Sequence, residues 1–321
     1  MPAPTQMSRN NFPPLLAPGL RHIFWHATDL KMREAQYEQF MNMDNSEDAY
    51  EIDYELSGTG PMPEMPEGTR PAYDGIVQGG TKKYLHLQYG LASQVTRQLV
   101  SDDKYGIIKR IPKAHSRGAL YAREAVSASV LNLGGSLILT NDGVTLFNTA
   151  HPLLGGTQAT ATAPGVTNII NSAGTYPNRP NPDVDLSFTS IQQMMNYFRR
   201  MPDGRGIPVT VKPRHLVHPP ELVYVVREIL GSPGKPYTMD NELNAIQGDN
   251  LQGLELEYLT SASGWGLLAP KEGHQLKFYE REPIEAQTDD DFITQVLIFL
   301  STQRFSAGAT SWYGTAWSYG P

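Results

Sequence analysis

Between residues 50 and 91 the sequence describes something that a self-contained globule has little use for. YEIDYEL alternates strictly, with Tyr50, Ile52, Tyr54 and Leu56 on one face and Glu51, Asp53 and Glu55 on the other. That period of two is the pattern of a half-buried strand. The chain then runs through SGTGPMPEMPEGTRPAYDGIVQGG, whose repeated Gly and Pro sustain neither helix nor ladder. KKYLHLQYG alternates again, with Leu85, Leu87 and Tyr89 in phase. The economical reading is a long hairpin limb with an irregular tip. Some 40 residues folded back on themselves reach roughly 65 Å at about 3.3 Å per residue, whereas a compact chain of this length has a radius of gyration of about 20 Å. A two-stranded ribbon is marginal alone. If the limb projects, the partners of its apolar face belong to other subunits. The run of like charges on the other face reads as a solvent-facing edge that discourages aggregation.

The rest of the chain provides a body for such a limb. Its 321 residues suffice for about two ordinary domains and a sizeable core. Residues 1 to about 27 are Pro-rich with scattered apolar anchors, among them Phe12 and Trp25, and read as an extended arm. TDLKMREAQYEQFMNM, from Thr28, lacks Gly and Pro and predicts a helix of about four turns. Residues 93–133 have helical character, with Pro112 as an expected break or kink. A Thr/Ala/Pro/Gly/Asn-rich loop runs from after His151 to about Asp185. Beyond it the pattern is regularly α/β: a helix with a capping box at Thr189 and Gln192, strands at IPVTV and RHLVH, and a helix opened by Pro219-Pro220-Glu221. Strands follow at LELEYL, WGLLAP, QLKFYER and FITQVLIFLSTQRF.

Composition removes whole classes of chemistry. With no cysteine there are no disulfides, thiolate metal sites or cysteine nucleophiles. A formal charge of -7 argues against a protein that coats nucleic acid. No apolar stretch approaches the roughly 20 residues needed to span a bilayer, and the N-terminus lacks the apolar core of a secretion signal. LGSPGKPYT lacks the spacing of a phosphate-binding loop, and neither GxSxG nor GxGxxG occurs. His22 and His26 stand at i, i+4 without the Glu of a zinc-protease helix, and His215 and His218 have no carboxylate cluster nearby in sequence. Asp289, Asp290 and Asp291 follow one another at a strand, so they cannot all point at one cation, and a solvated turn or interface charge is the simpler reading. Lys82 and Lys83 read as partners of acidic groups or as solvated. SWYGTAWSYG, with Trp312 and Trp317, lacks the neighbouring cations of a base-stacking site and reads as packing against self or a neighbour. The search for catalysis, cofactor or metal comes back empty.

The order of elements resembles the major capsid proteins of tailed bacteriophages, the Hong-Kong-97-like fold. GLASQVTRQLVSDDKYGIIKRIP and HSRGALYAREAVSASVLN are similar to the family's hairpin exit and spine helix. DGVTLFNTAHPLLGG resembles the segment after the spine in Mu-like head subunits, and RGIPVTVKPRHLVHPPELVYVVREIL the strand–strand–helix passage of the axial domain. WGLLAP and YEREPIEAQTDDDF resemble the closing peripheral part. The resemblance implies an α+β fold divided into an arm with a short helix (1–49), an extended hairpin loop (50–91), a peripheral domain with the spine helix (92–140 and 270–321) and a central α/β axial domain (141–269). It implies a structural subunit and not an enzyme, assembling with itself as hexamers and pentamers into an icosahedral virion shell in the bacterial host cytoplasm. That shell would enclose double-stranded DNA without sequence-specific binding and without a membrane. The chain begins almost directly with the arm, so the resemblance implies a separate scaffolding protein; a portal protein and a decoration protein are the other partners it implies. Phe12, Trp25, Tyr54, Leu56, Lys82, Lys83, Asp290 and Trp312 are the candidate inter-subunit contacts. A few relatives cross-link subunits through a hairpin lysine, a place that Lys82 or Lys83 could take, although no partner Asn is identifiable. An encapsulin-like nanocompartment shell is the alternative on the same fold, and a soluble α/β hydrolase using His151 or His215 the alternative from another class.

Overall fold

The computed structural model describes residues 13–321 apart from 57, 60, 61, 72, 77, 97, 100, 101, 103–105, 107, 153–174, 204–206, 210, 235–242 and 292–295; the side chains of 13–18, 290 and 291 lie outside the description as well. Phe12, most of the loop after His151, and the Gly-Lys pair at residues 234–235 therefore fall wholly or partly outside it.

Two four-stranded sheets organise the body. In the first, β1 (Asn42–Asn45), β10 (Leu276–Asp291), β11 (Val296–Ala309) and β4 (Leu87–Thr96) lie in the order β1-β10-β11-β4, with β1 parallel to β10 and the other pairs antiparallel. β11 alternates between buried and half-buried positions along its length, as a strand covered on one face must. Helix α1 (Pro13–Met32) and the long helix α3 (Arg110–Asn132) cover that face. There Leu20 and Phe24 of α1 and Leu120 of α3 share a core with Ile284, Leu297 and Phe299. Further along the same sheet Phe278, Phe305, Leu131, Tyr37 and Trp312 form a second core. Arg123 crosses between the two layers with its side chain buried, paired to Glu280 at 2.9 Å and donating to Gln303 at 2.8 Å.

The second sheet has the order β12-β9-β7-β8, from Thr315–Ser318, Trp265–Leu268, His215–His218 and Gln252–Glu255. Its apolar residues close a third core with helices α4 (Phe188–Arg199) and α5 (Val223–Gly231). The last strand of the chain thus belongs to this sheet and not beside β10 and β11. A separate ribbon, β2 (Tyr50–Leu56) antiparallel to β3 (Gln78–Leu85), leads directly into β4.

Several local expectations are corrected. The second half of the arm is helix α1, and no helix continues through 28–43: the chain turns after Met32, forms a single helical turn α2 (Tyr37–Phe40) and enters β1. Pro13 and Pro14 stand in the first turn of α1, where a missing N–H costs nothing, and burial of Leu20 and Phe24 adds about 2 kcal/mol each. Ser93 to Thr96 are strand, and Pro112 neither breaks nor kinks α3 because it sits in that helix's first turn. The cap of α4 is Ser187, which exchanges hydrogen bonds with Ser190, two residues before the expected pair. IPVTV forms only a single bridge between Pro202 and Pro208 among the described residues.

Candidate assembly interface

The ribbon carries the site, and its orientation is the reverse of what its charge pattern predicts. Along β2 the carboxylates Glu51, Asp53 and Glu55 are half-buried, while Tyr50, Ile52, Tyr54 and Leu56 are between 45 % and 58 % exposed. The acidic face is turned onto the body and the apolar face to solvent, which overturns the expectation of a charged outer edge. Beside them on β3 and β4, Leu85 and Leu87 are exposed. Beyond the strands Met62, Met65, Tyr73 and Ile76 are exposed too. Burying such side chains gains roughly 2 kcal/mol each, and contiguous exposed apolar side chains are the general mark of a surface suited to a partner.

Each carboxylate has its own clamp. Asp53 accepts from Thr310 Oγ1 at 2.6 Å and from Tyr279 Oη at 3.0 Å, and pairs with Lys277 Nζ at 2.9 Å. Burial pushes its carboxyl upward, but the bonds from Thr310 and Lys277 and the charge of Lys277 outweigh this and hold it below its ordinary value. Glu55 accepts from Asn141 Nδ2 at 2.7 Å. Its carboxyl is raised, chiefly by burial and further by the charges of Asp142 and Asp203, against the opposing bonds from Asn141 and Tyr313. Glu51 accepts from Ser46 Oγ at 2.6 Å, and that hydroxyl lies 3.1 Å from Nε2 of the buried His86, which joins ribbon to sheet. Burial lowers the pKa of His86.

Backbone fit completes the clamp. Gly80 of β3 lies so close to the loop after α3 that a Cβ built there would stand 1.7 Å from the Asn141 carbonyl oxygen. Only glycine permits that approach. Tyr84, buried on β3, sits 2.7 Å through its hydroxyl from Thr310 Oγ1, so Thr310 touches both strands of the ribbon.

The Asn141-Asp142 turn is itself anchored. His151 is fully buried, with Nδ1 2.7 Å from Asp142 Oδ2 and Nε2 3.1 Å from Asn178 Oδ1, and its ring stacks on Trp312 at 4.7 Å. Asn178 donates to the Leu146 carbonyl at 2.7 Å, which fixes its amide orientation. Burial pushes the Asp142 carboxyl up, yet the bonds from His151, Thr140 and the Val144 amide hold it below its usual value. No nucleophile adjoins this histidine in these contacts, and its partners make it a strut beneath the ribbon.

The expected contact residues separate clearly. Tyr54 and Leu56 lie on the exposed ribbon face, and Trp25 is exposed on α1. Lys82 and Lys83 do not meet the acidic groups: Lys82 Nζ donates to the Leu139 carbonyl at 2.6 Å with its pKa lowered by burial, and Lys83 lies 3.9 Å from the centre of the Tyr50 ring. The backbone of Asp290 pairs with Leu297 in the β10–β11 ladder. Trp312 is 2 % exposed and packs within the chain, leaving no surface for a neighbour. Lys277, Tyr279, Thr310 and Asn141 escaped notice in the sequence, for they lie at least 80 residues beyond the carboxylates they hold and carry no local motif. Among the described residues no group of His, Asp or Glu is arranged to hold a metal ion, and no helix is long and apolar enough to cross a membrane.

The family model for phage capsid protein matches residues 80–318, 239 of the chain's 321. The chain belongs to this phage capsid family. Solved structures agree at the level of fold. The capsid of the cyanophage P-SCSP1u superposes with a TM-score of 0.56 at 10% identity, covering 89% of this chain and 88% of that one. A chain of Microbacterium phage Oxtober96 gives 0.54 at 10% identity, covering 88% and 90%. A virus-like particle from Pyrococcus furiosus gives 0.51 at 8% identity, covering 94% and 99%. No curated protein matches significantly. The mixed α and β architecture is that of a Hong-Kong-97-like capsid subunit.

Proposed function

We propose that this phage capsid family chain is the major head subunit of a tailed phage of the Mu-like group, building an icosahedral virion shell around double-stranded DNA. In this reading α3 is the spine helix, the β12-β9-β7-β8 sheet with α4 and α5 is the axial body that meets its copies in pentamers and hexamers, and the ribbon lies across a neighbouring subunit. The observation that carries it is the inverted ribbon. A chain that spends three carboxylates on holding a two-stranded limb against its own body, and turns Tyr50, Ile52, Tyr54 and Leu56 outward, has prepared that face for another protein surface. Shell assembly would supply many identical copies of such a surface. A separate scaffolding protein, a portal and a decoration protein fit the same reading, as does assembly in the host cytoplasm.

Negative-stain micrographs and native mass of the purified chain test it, with closed shells or tubes expected and exclusively monomers or dimers overturning it. The fold shared with a virus-like particle leaves a nanocompartment shell as the second reading. Purified native particles enclosing a protein cargo and no DNA would favour that alternative.

A further inference from the structure

The sequence holds three Asp-Gly pairs, at 74–75, 142–143 and 203–204, and the structure describes both members of the first two. Such a pair carries latent covalent chemistry. The glycine amide nitrogen can close a five-membered ring on the carboxyl carbon of the preceding aspartate, and the missing Cβ of glycine leaves that nitrogen open to approach. Ring closure depends on where the amide points and on how freely the two residues can turn toward one another. The two described pairs differ in both respects.

Asp74-Gly75 lies in the ribbon beyond the last β2–β3 pair, Leu56 with Gln78, and belongs to neither helix nor strand. Both residues are exposed, and so are Tyr73 and Ile76 on either side of them. The Gly75 amide donates to Asp74 Oδ1 at 2.8 Å, so the nitrogen already stands against the carboxyl group it would attack, in the manner of a near-attack conformer. A Cβ built on Gly75 would meet nothing within 4 Å, which leaves that side of the backbone open. At Asp142-Gly143 the amide points elsewhere: Gly143 donates to the Thr140 carbonyl at 3.1 Å. The Asp142 carboxylate is engaged by His151, Thr140 and the Val144 amide. Ring closure there has to break these bonds first. The same dipeptide is thus poised to react in the ribbon and locked in the turn beneath it.

We propose that Asp74-Gly75 is a site of spontaneous isoaspartate formation in the folded chain, and that the fold protects Asp142-Gly143 from the same reaction. The Gly75 nitrogen loses its proton and bonds to Asp74 Cγ while the Cγ–OH bond breaks, so that one water leaves and a succinimide forms. Water then adds to one of the two ring carbonyls and opens the ring, which restores aspartate or leaves the chain linked through the β-carboxyl. No oxidant, reductant or other co-reactant enters. The β-linked product lengthens the main chain by one methylene between Tyr73 and Ile76 and frees the former backbone carboxyl as a carboxylate, so an ageing chain presents an altered ribbon tip. This goes beyond the shell reading and does not depend on it. The test ages the purified chain in neutral buffer, folded and in urea, and digests it. Isoaspartate is labelled with protein isoaspartyl methyltransferase and S-adenosylmethionine and located by electron-transfer fragmentation of the peptides. In the folded chain it should accumulate at position 74 at least about tenfold faster than at 142, as an additional hydrogen bond to break implies. In urea the two rates should converge. Gly75→Ala, which the open space accommodates, should slow the reaction at 74 severalfold by crowding the nitrogen, and Asp74→Glu should remove it, because the ring would then need six members. No isoaspartate at 74 in the folded chain, equal rates at 74 and 142 there, a ratio unchanged by urea, or a rate unchanged in Gly75→Ala overturns the proposal.

Discussion

Strands β2 and β11 share a sequence rule and obey it in opposite senses. Both alternate residue by residue, yet β11 turns Phe299 and Phe305 into the protein while β2 turns Ile52 and Tyr54 out of it. Alternation fixes that a strand has two unlike faces and leaves open which face meets the chain's own body. On β11 the choice follows from area, since two helices wait to be covered. On β2 it follows from a handful of polar partners: Lys277, Tyr279 and Thr310 for Asp53, Asn141 for Glu55 and Ser46 for Glu51. In the single chain β2 forgoes hydrophobic burial on that face while ordered carboxylates hold the strand in place, and in the proposed reading a surface outside the chain supplies the burial.

The contrast breaks most visibly with Phe305→Ala. Phe305 is fully buried, stacked on Phe278 at 5.0 Å and on Tyr89 at 4.6 Å. Removing the ring should cost about 3–5 kcal/mol, read as a lower urea midpoint of the dissociated chain. If stability were unchanged, the β10–β11 sheet would not be the mechanical base of the ribbon.

A smaller loss is expected from Asp53→Ala, which leaves the Lys277 ammonium without its carboxylate in a half-buried place. The cost should be about 2 kcal/mol, less than for a fully buried pair, and it should be local. Hydrogen exchange in β2 and β3 should accelerate while α4 and β7 keep their protection. Uniform acceleration across the chain would show that the ribbon is part of the global fold and not a separately latched limb.

How far the sequence foretold all this depends on where the deciding partner lies. β11, β7, α4 and the body of α3 were legible because their periodicity and their burial agree locally. Helix α1 was not, because Pro13, Pro14 and Pro18 mimic an extended arm, and the burial of Leu20 and Phe24 that offsets them comes from residues 95 to 299. The outward ribbon face was legible as apolar and two-sided, whereas its inversion was not: like charges on one side normally mark solvent, and Lys277 and Thr310 lie more than 220 positions from Asp53. The His151 strut was hidden for the same reason, since Asn178 lies beyond the loop that follows the histidine.

Acid should divide the latch into its parts. Glu55 has a raised folded value, so its burial weakens the docked ribbon at neutral pH, and that penalty is relieved as pH falls through the folded value toward the ordinary 4.5. Asp53 has a depressed folded value, so its contribution is complete above the ordinary 3.8 and is lost as pH falls below that through the folded value. Hydrogen-exchange protection of β2 and β3, taken relative to that of β7 at the same pH, should therefore rise slightly toward pH 4.5 and fall below about 3.8. Glu55→Gln should flatten the upper limb and Asp53→Asn the lower one; a profile unchanged by either variant would detach both groups from ribbon stability.

The smallest effect on the single chain, and the most telling, belongs to Tyr54→Glu. Tyr54 is 57 % exposed and opposes Thr81 on β3, and substitutions at exposed sites away from special features stay within about 0.5 kcal/mol. The dissociated chain should keep its urea midpoint and its ribbon protection. Assembly should nevertheless fail, because a carboxylate would be carried into the apolar contact that the proposed reading assigns to the outward face, and an unpaired charge there costs several kcal/mol at every repeated contact. Sedimentation of the variant beside the native chain reads both halves at once. Normal shells from Tyr54→Glu would mean that the face stays in water, and β2 would then be an ordinary strand with its polar side ordered and its apolar side merely exposed.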